Sequence, residues 1–208
     1  MEKNKKEVKN NSTEEKIKAS ARKMFHQKGF AGTRTRDIAE ESGINLALLN
    51  YYFRSKEKLF QLIMSESLDE FFSSLHSVFN DPVTNFNEKI EAVVKNYVEK
   101  MTENPNIPLF ILSELRNNPD QLIKKVNAKK VFLQSVFLSQ LDDEIKANRI
   151  NAIDPMHFIM NLLGMTVFPF VASPMMKSIG DIDQENFDTL MDERKKLIPM
   201  WIKAILKS

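Results

Sequence analysis

Cysteine is absent from these 208 residues. No disulfide can form, no thiolate can act as a nucleophile, and no cysteine zinc site can be built. The lack fits a reducing, cytoplasmic setting. Glycine and proline are scarce, at 5 and 8 residues, and three of the five glycines crowd between positions 29 and 43. Elsewhere turn formers are few, while Leu, Ile, Met, Phe, Lys and Glu abound, the composition of an all-α protein. The three histidines, His26, His76 and His157, stand far apart and match no metal-ligand spacing such as HExxH. There is no phosphate-binding glycine loop and no G-x-S-x-G elbow. Asp154 and His157 are three apart, but a capping aspartate beside a histidine explains them more simply than a catalytic pair. These gaps argue against an enzyme, a metal site or a bound cofactor. Long apolar runs are missing too. Phe158 to Ala172 is interrupted by Asn161, Gly164 and Pro169 and is too short for a membrane span, which needs about 20 residues. The opening MEKNKKEVKNNS has charge and no apolar core, so it does not read as a secretory signal.

What is present is uneven in charge. The net charge is only +2, yet residues 1–60 hold 14 Lys/Arg against 8 Asp/Glu, and the remainder 16 against 20. A basic N-terminal part on a mildly acidic body suits contact with a polyanion at one end only. Residues 1–11 read as a flexible basic tail, either solvated or entering a minor groove as an arm.

From Ser12 the pattern becomes helical. Ser12 and Glu15 form a capping-box pair, and Ile17, Ala21, Met24 and Phe25 recur as one apolar stripe. Gly29 is placed to stop this helix, with Phe30 folding back onto the stripe. A short helix follows from about Arg34 to Ser42, with Thr33 as its expected N-cap and Arg34 or Thr35 as the alternatives that shift the start by a residue. Ile38 and Ala39 face inward. Gly43 supplies a tight turn that glycine adopts at little cost, Ile44 plugs it, and Asn45 caps a third helix from Leu46 to Tyr52. Leu49 and Phe53 point to the core, which turns Leu46, Ala47, Asn50 and Tyr51 outward. Two helices joined by a glycine turn, the second with an exposed non-acidic face, make a helix-turn-helix.

The exposed side chains suit duplex DNA. Asn50 offers a donor and an acceptor together, the pair that reads adenine N6 and N7 in the major groove. Tyr51 can meet a base edge or stack on sugar and thymine methyl; Leu46 and Leu48 can touch thymine methyls. Tyr52, unless it is core, and Lys56 sit where side chains reach backbone phosphates. Thr35 and Arg36 lie at a helix start, where free N–H groups favour an anion.

The run G-F-x-x-T-x-x-R-D-I-A-x-x-x-G-I followed by L-L-N-Y-Y-F-x-S-K-E-x-L-F resembles the N-terminal domain of TetR-family transcriptional regulators over residues 13–62. The resemblance implies DNA contacts at Thr35, Arg36, Asn50, Tyr51, Tyr52 and Lys56. It departs from the family at Ala47, where glycine is common, and at Asn50, where tyrosine is common. Both lie on the reading helix, so no operator sequence transfers from a relative.

The expected architecture is therefore all-α with about nine helices: a helix-turn-helix DNA-binding domain over 12–55 and a helical ligand-binding and dimerisation domain over 56–208. In the body, a helix from Lys56 to about Phe79 ends at Asp81-Pro82. Another spans about Asn85 to Thr102, a short one about Leu109 to Asn117, and a long one about Asp120 to Asn148. The last two cover about Asp154 to Ala172, which Pro169 either kinks or ends, and Gln184 to Lys207. The family resemblance implies that these last two pair with a second copy. Phe158, Leu162, Met191 and Ile198 with Trp201, Ile202 and Ile205 are the candidate interface. An effector pocket is implied in the same way. Tyr97, Met101, Phe110 and Phe137 with Met160, Met165 and Phe168 are its candidate lining, because thioethers and aromatics adapt to irregular space.

The function expected is a dimeric one-component regulator, most simply a repressor released from a palindromic operator by a small apolar effector. The rival readings are a DNA-bound architectural or division-type factor whose body holds a protein partner, and a helical binding module or enzyme without DNA affinity.

Overall fold

The computed structural model describes residues 2–117, 119–125 and 133–207, and these form eleven helices and no strand. Met1–Leu68 and Asp69–Ser208 are two compact units. The division falls inside α4 (Lys56–Asn80), later than the expected boundary at residue 55, because Leu59 and Ile63 are fully buried in the first unit.

In the first unit, α1 spans Glu2–Gly32 and starts ahead of the expected Ser12. Residues 2–11 contain no glycine or proline, so nothing local halts a helix there. Gly29, at φ 66° and ψ 177°, breaks α1 in a region that only glycine adopts readily. Beyond the break Phe30 folds back as expected, 6.3 Å from the Phe25 ring and 4.9 Å from Phe60. Helices α2 (Thr35–Ser42) and α3 (Leu46–Phe53) complete the unit, burying Ile38, Ala39, Leu49 and Phe53, as α1 buries Ile17, Ala21 and Phe25. Across the unit, Glu66 of α4 accepts from Lys18 at 2.9 Å and Arg22 at 3.1 Å.

The second unit is built on α5 (Phe86–Glu103) and α11 (Gln184–Ile205). Asn85 and Glu88 form a reciprocal capping box that starts α5. Lys203 pairs with Glu91 at 2.8 Å and Lys195 with Glu99 at 3.4 Å, an order that sets the two helices antiparallel. Phe79, Phe86, Phe137 and Phe158 pack ring on ring at 5.3–5.6 Å. Lys89 is fully buried. Its ammonium donates to the carbonyls of Asp81 and Thr84 and to the Thr84 hydroxyl, tying down the turn that ends α4. Burial pulls its pKa down, against the charges of Asp81 and Glu88.

Of the expected long helix from Asp120, residues 126–132 lie outside the described residues, and the rest appears as α7 (Pro119–Lys125) and α8 (Val136–Lys146), following α6 (Ile107–Asn117). Ser135 opens α8 afresh by accepting from Leu138 N, so a new start replaces continuity. Helix α9 (Pro155–Val171) starts on Asp154, whose carboxylate accepts from Met156 N at 2.7 Å, the capping role expected of it. Pro169 lies inside α9. A helix not foreseen, α10 (Ser173–Gly180), follows at a 69° bend. Among the described residues no single helix is long and apolar enough to cross a membrane.

Candidate nucleic-acid interface

The turn between α1 and α2 is held by a side chain that the sequence reading assigned elsewhere. Thr33, expected to cap α2, is buried with its hydroxyl 2.7 Å from the Gly29 carbonyl and 3.1 Å from that of Met24. It can donate to one at a time, and either bond satisfies a carbonyl at the end of α1. The N-cap position of α2 therefore falls to Arg34, which caps with no side-chain bond. Thr35 is half-buried and Arg36 exposed in the first turn that follows. The spacing of Thr33 four residues after Gly29, the reach of a threonine back-bond, was the available signal.

Gly43 ends α2 at φ 68° and ψ 29°. Its N–H donates to the Glu40 carbonyl at 3.1 Å and Ile44 N to the Ala39 carbonyl at 3.0 Å, the paired bonds of a Schellman stop. Two residues later the Asn45 side chain accepts from Leu48 N at 2.8 Å and starts α3. With Leu49 and Phe53 buried, α3 turns Ala47, Asn50 and Tyr51 to solvent, and Tyr51 is 75% exposed. Leu46, Leu48 and Tyr52 are half-buried at the edges of that face. The Tyr52 ring stands edge-on to Tyr51 at 5.6 Å, so the two rings brace each other.

Arg54 follows α3 at φ 61° and ψ −40°, with Ser55 N donating to the Phe53 carbonyl at 2.7 Å. This is a γ-turn of the rare strained hand. Strain of this kind in a non-glycine residue persists only where surroundings impose it, and here it sits between the exposed helix and α4. Lys56, the first residue of α4, does not extend into solvent. Its Nζ donates to the Phe30 carbonyl at 3.0 Å and the Thr33 carbonyl at 3.1 Å, and lies 4.2 Å from the Phe30 ring centre.

The structure thus gathers Thr35, Arg36, Leu46, Ala47, Asn50, Tyr51, Tyr52 and Lys56 onto three consecutive helices of one unit. The pocket and interface candidates of the second unit fare differently. Tyr97 and Met101 are buried on α5, and the Tyr97 ring meets Phe71 edge-on at 4.8 Å. Burial raises the Tyr97 phenol pKa well above its ordinary value. Phe137 belongs to the ring cluster, and Phe110 and Met165 are half-buried. Met160 and Phe168 are 53% and 55% exposed, so they cannot line a cavity enclosed by this chain alone. An open cleft of about 630 Å³ lies between α5 and α11, but lysines and Glu91 line it over Ala92, Pro199 and Met200. None of the seven pocket candidates borders it.

Of the interface candidates, Phe158, Leu162, Met191, Ile198 and Ile202 are buried within a single chain and form its own core. Trp201 is half-buried and Ile205 exposed. The physical reason is that α9 carries apolar residues on most faces. Periodicity marks a stripe as buried without saying whether the same chain or another buries it. The exposed apolar residues of these two helices are instead Met156, Met160 and Phe168 on α9 and Leu190, Met200 and Ile205 on α11.

Comparison with known proteins agrees with this geometry. Residues 17–63 match the family described as bacterial regulatory proteins, tetR family. The chain is 25% identical over 201 residues to the probable HTH-type transcriptional regulator YttP of Bacillus subtilis (strain 168), covering 95% of each. Among solved structures, it is similar to a putative TetR-family transcriptional regulator from Mesorhizobium loti MAFF303099, with a TM-score of 0.61 and 15% identity, covering 95% of this chain and 98% of that one. It is also similar to the transcriptional regulator FadR from Bacillus subtilis in complex with stearoyl-CoA, with a TM-score of 0.55 and 17% identity, covering 88% and 96%.

Proposed function

Because this chain is a TetR-family transcriptional regulator, a DNA-binding protein and not an enzyme, we propose that it acts as a homodimeric repressor. It binds a palindromic operator and leaves it when a small apolar effector occupies its C-terminal unit. The carrying observation is the outward face of α3, where Asn50 and the 75% exposed Tyr51 stand on a helix that contains no acidic residue and that Leu49 and Phe53 anchor. Asn50 reads an adenine, Tyr51 a neighbouring base edge or thymine methyl, and Leu46 and Ala47 flank them. Thr35, Arg36 and Tyr52 hold phosphates.

A second copy supports the palindrome. Two-fold pairing through the outward face of α9 and α11 presents two reading helices, which need half-sites about 34 Å, one helical turn, apart or a multiple of it. An effector lowers DNA affinity only as far as it favours one spacing of the reading helices over another. The solved FadR complex holds stearoyl-CoA, a precedent for a ligand with a long apolar acyl chain on this fold. Such a protein works in the cytoplasm, where its DNA lies.

The test is capture of sheared genomic DNA by the purified chain at near-physiological salt, followed by sequencing. One or a few enriched palindromes support the repressor, and their neighbouring genes indicate the effector class. Many sites across the genome support the rival reading, a DNA-bound architectural or division-type factor. The exposed Leu109, Leu112 and Leu115 of α6 would then be its protein-binding face. No salt-sensitive capture at all overturns both.

A further inference from the structure

Lys56 stands next to the reading helix and is basic, yet its ammonium is turned inward. Two of its three N–H groups are committed to the carbonyls of Phe30 and Thr33, at 3.0 and 3.1 Å, and its charge lies 4.2 Å from the centre of the Phe30 ring. Both carbonyls belong to the segment between the break at Gly29 and the start of α2. Carbonyls at a helix end carry partial negative charge and lack intrahelical partners, so an ammonium both satisfies and neutralises them. The same segment is held from its other side by the Thr33 hydroxyl on Gly29 and Met24. What it delivers is the first turn of α2, with Thr35 and Arg36. No side chain caps that turn, so its placement depends on the chain entering it.

We propose that Lys56 is a positioning residue. It clamps residues 30–33 to the start of α4 and thereby sets Thr35 and Arg36 against DNA phosphates, instead of contacting a phosphate itself. This role rests on the DNA-binding function proposed above. Two of its three N–H groups are already spent on the Phe30 and Thr33 carbonyls, so a phosphate can be met only by the third, or by leaving one of those acceptors unmet.

The test uses the full chain in two measurements. Lys56→Met keeps the aliphatic stem and removes the ammonium, and Lys58→Met removes an equal charge from an exposed position one half-turn away. The first measurement is hydrogen exchange of the amides between residues 30 and 38. Exchange should quicken in Lys56→Met and stay at the wild-type rate in Lys58→Met; unchanged exchange in both overturns the clamp. The second is affinity, by fluorescence anisotropy, for a duplex selected by the wild-type chain from a randomised library. Lys56→Met should weaken binding about tenfold in the wild-type background and far less in an Arg36→Ala background, because coupled residues give non-additive losses. Equal losses in the two backgrounds would mean an independent phosphate contact and overturn the positioning role. Should Lys56→Met fail to fold, Lys56→Arg replaces it. That variant keeps charge and donors in a different geometry and should still couple to Arg36. If the wild-type chain shows no salt-sensitive affinity, the proposed function fails, and hydrogen exchange alone then decides the clamp.

Discussion

Arg194 of α11 donates from Nη2 to the backbone carbonyl oxygen of Met165 in α9 at 2.7 Å. That carbonyl is the one that Pro169, four residues on, has no N–H to satisfy. The proline inside α9 thus creates an orphan acceptor, and a side chain from another helix fills it. The guanidinium also lies 5.2 Å over the Trp201 ring. Its Nε is buried without a hydrogen-bond partner, and burial pulls its pKa down. Arg194→Leu should therefore lower stability by about 1.5–3 kcal/mol, the range for a hydrogen bond to a charged group. In a Pro169→Ala background, where an N–H returns to the ladder, the loss should shrink. Urea melts of the four proteins measure this, and equal losses in both backgrounds would show that Arg194 does not serve this carbonyl.

Asn50 should carry sequence preference and little general affinity. Asn50→Ala should cost about 1–3 kcal/mol at one base pair of the selected duplex and leave binding to random DNA nearly unchanged. Competition with single-base variants of the site measures it. Equal weakening on selected and random DNA would remove the base-reading role.

Phe168 tests the proposed dimer face without touching the core. It is 55% exposed in the single chain, so Phe168→Asp should leave helicity and melting of the isolated chain close to wild type. Sedimentation velocity should show the dimer converted to monomer. A dimer of undiminished stability would move the interface off α9.

Lys18 supplies a pH dependence whose sign is determined. Hydrogen bonds to Glu15 and then to Glu66 raise its pKa, with burial opposing them. A raised lysine pKa means that the folded state binds the proton more tightly. The contribution is therefore complete below the unfolded value, about 10.4, and is lost as pH climbs through the folded one. Because Glu15 and Glu66 are partly solvated, its size is at most about 1 kcal/mol. Between pH 9 and 11.5 the stability of Lys18→Met should fall less steeply than that of the wild type. Parallel curves in denaturant melts would show that Lys18 contributes nothing.

Much of the first unit was readable residue by residue. Gly29, Gly43 and Asn45 signal a break, a stop and a cap from their own backbone preferences. The alternation of Leu49 and Phe53 with Asn50 and Tyr51 separates core from surface within two helical turns. In the second unit the helices were mostly legible and their faces were not. A helix from about Asn85 was expected, and the structure starts α5 there on the capping pair Asn85 and Glu88, but the break that Ser135 makes and the extra helix α10 were missed. Their starts rest on a single serine and on Pro174, neither of which outweighs a continuous apolar pattern in a linear reading.

What the sequence determined by itself is the set of local choices: all-helical structure, the glycine turn, and an outward face on α3 that carries an amide and a phenol. Each depends on residues within a turn or two of one another, so order along the chain is order in space. Tertiary structure alone decided the rest. Lys56 found carbonyls 26 and 23 positions away, Arg194 found one 29 positions away, and Ile198 and Met191 closed on their own chain instead of a partner. Those outcomes depend on which helices pack together, and burial stabilises an apolar stripe equally well whichever surface covers it.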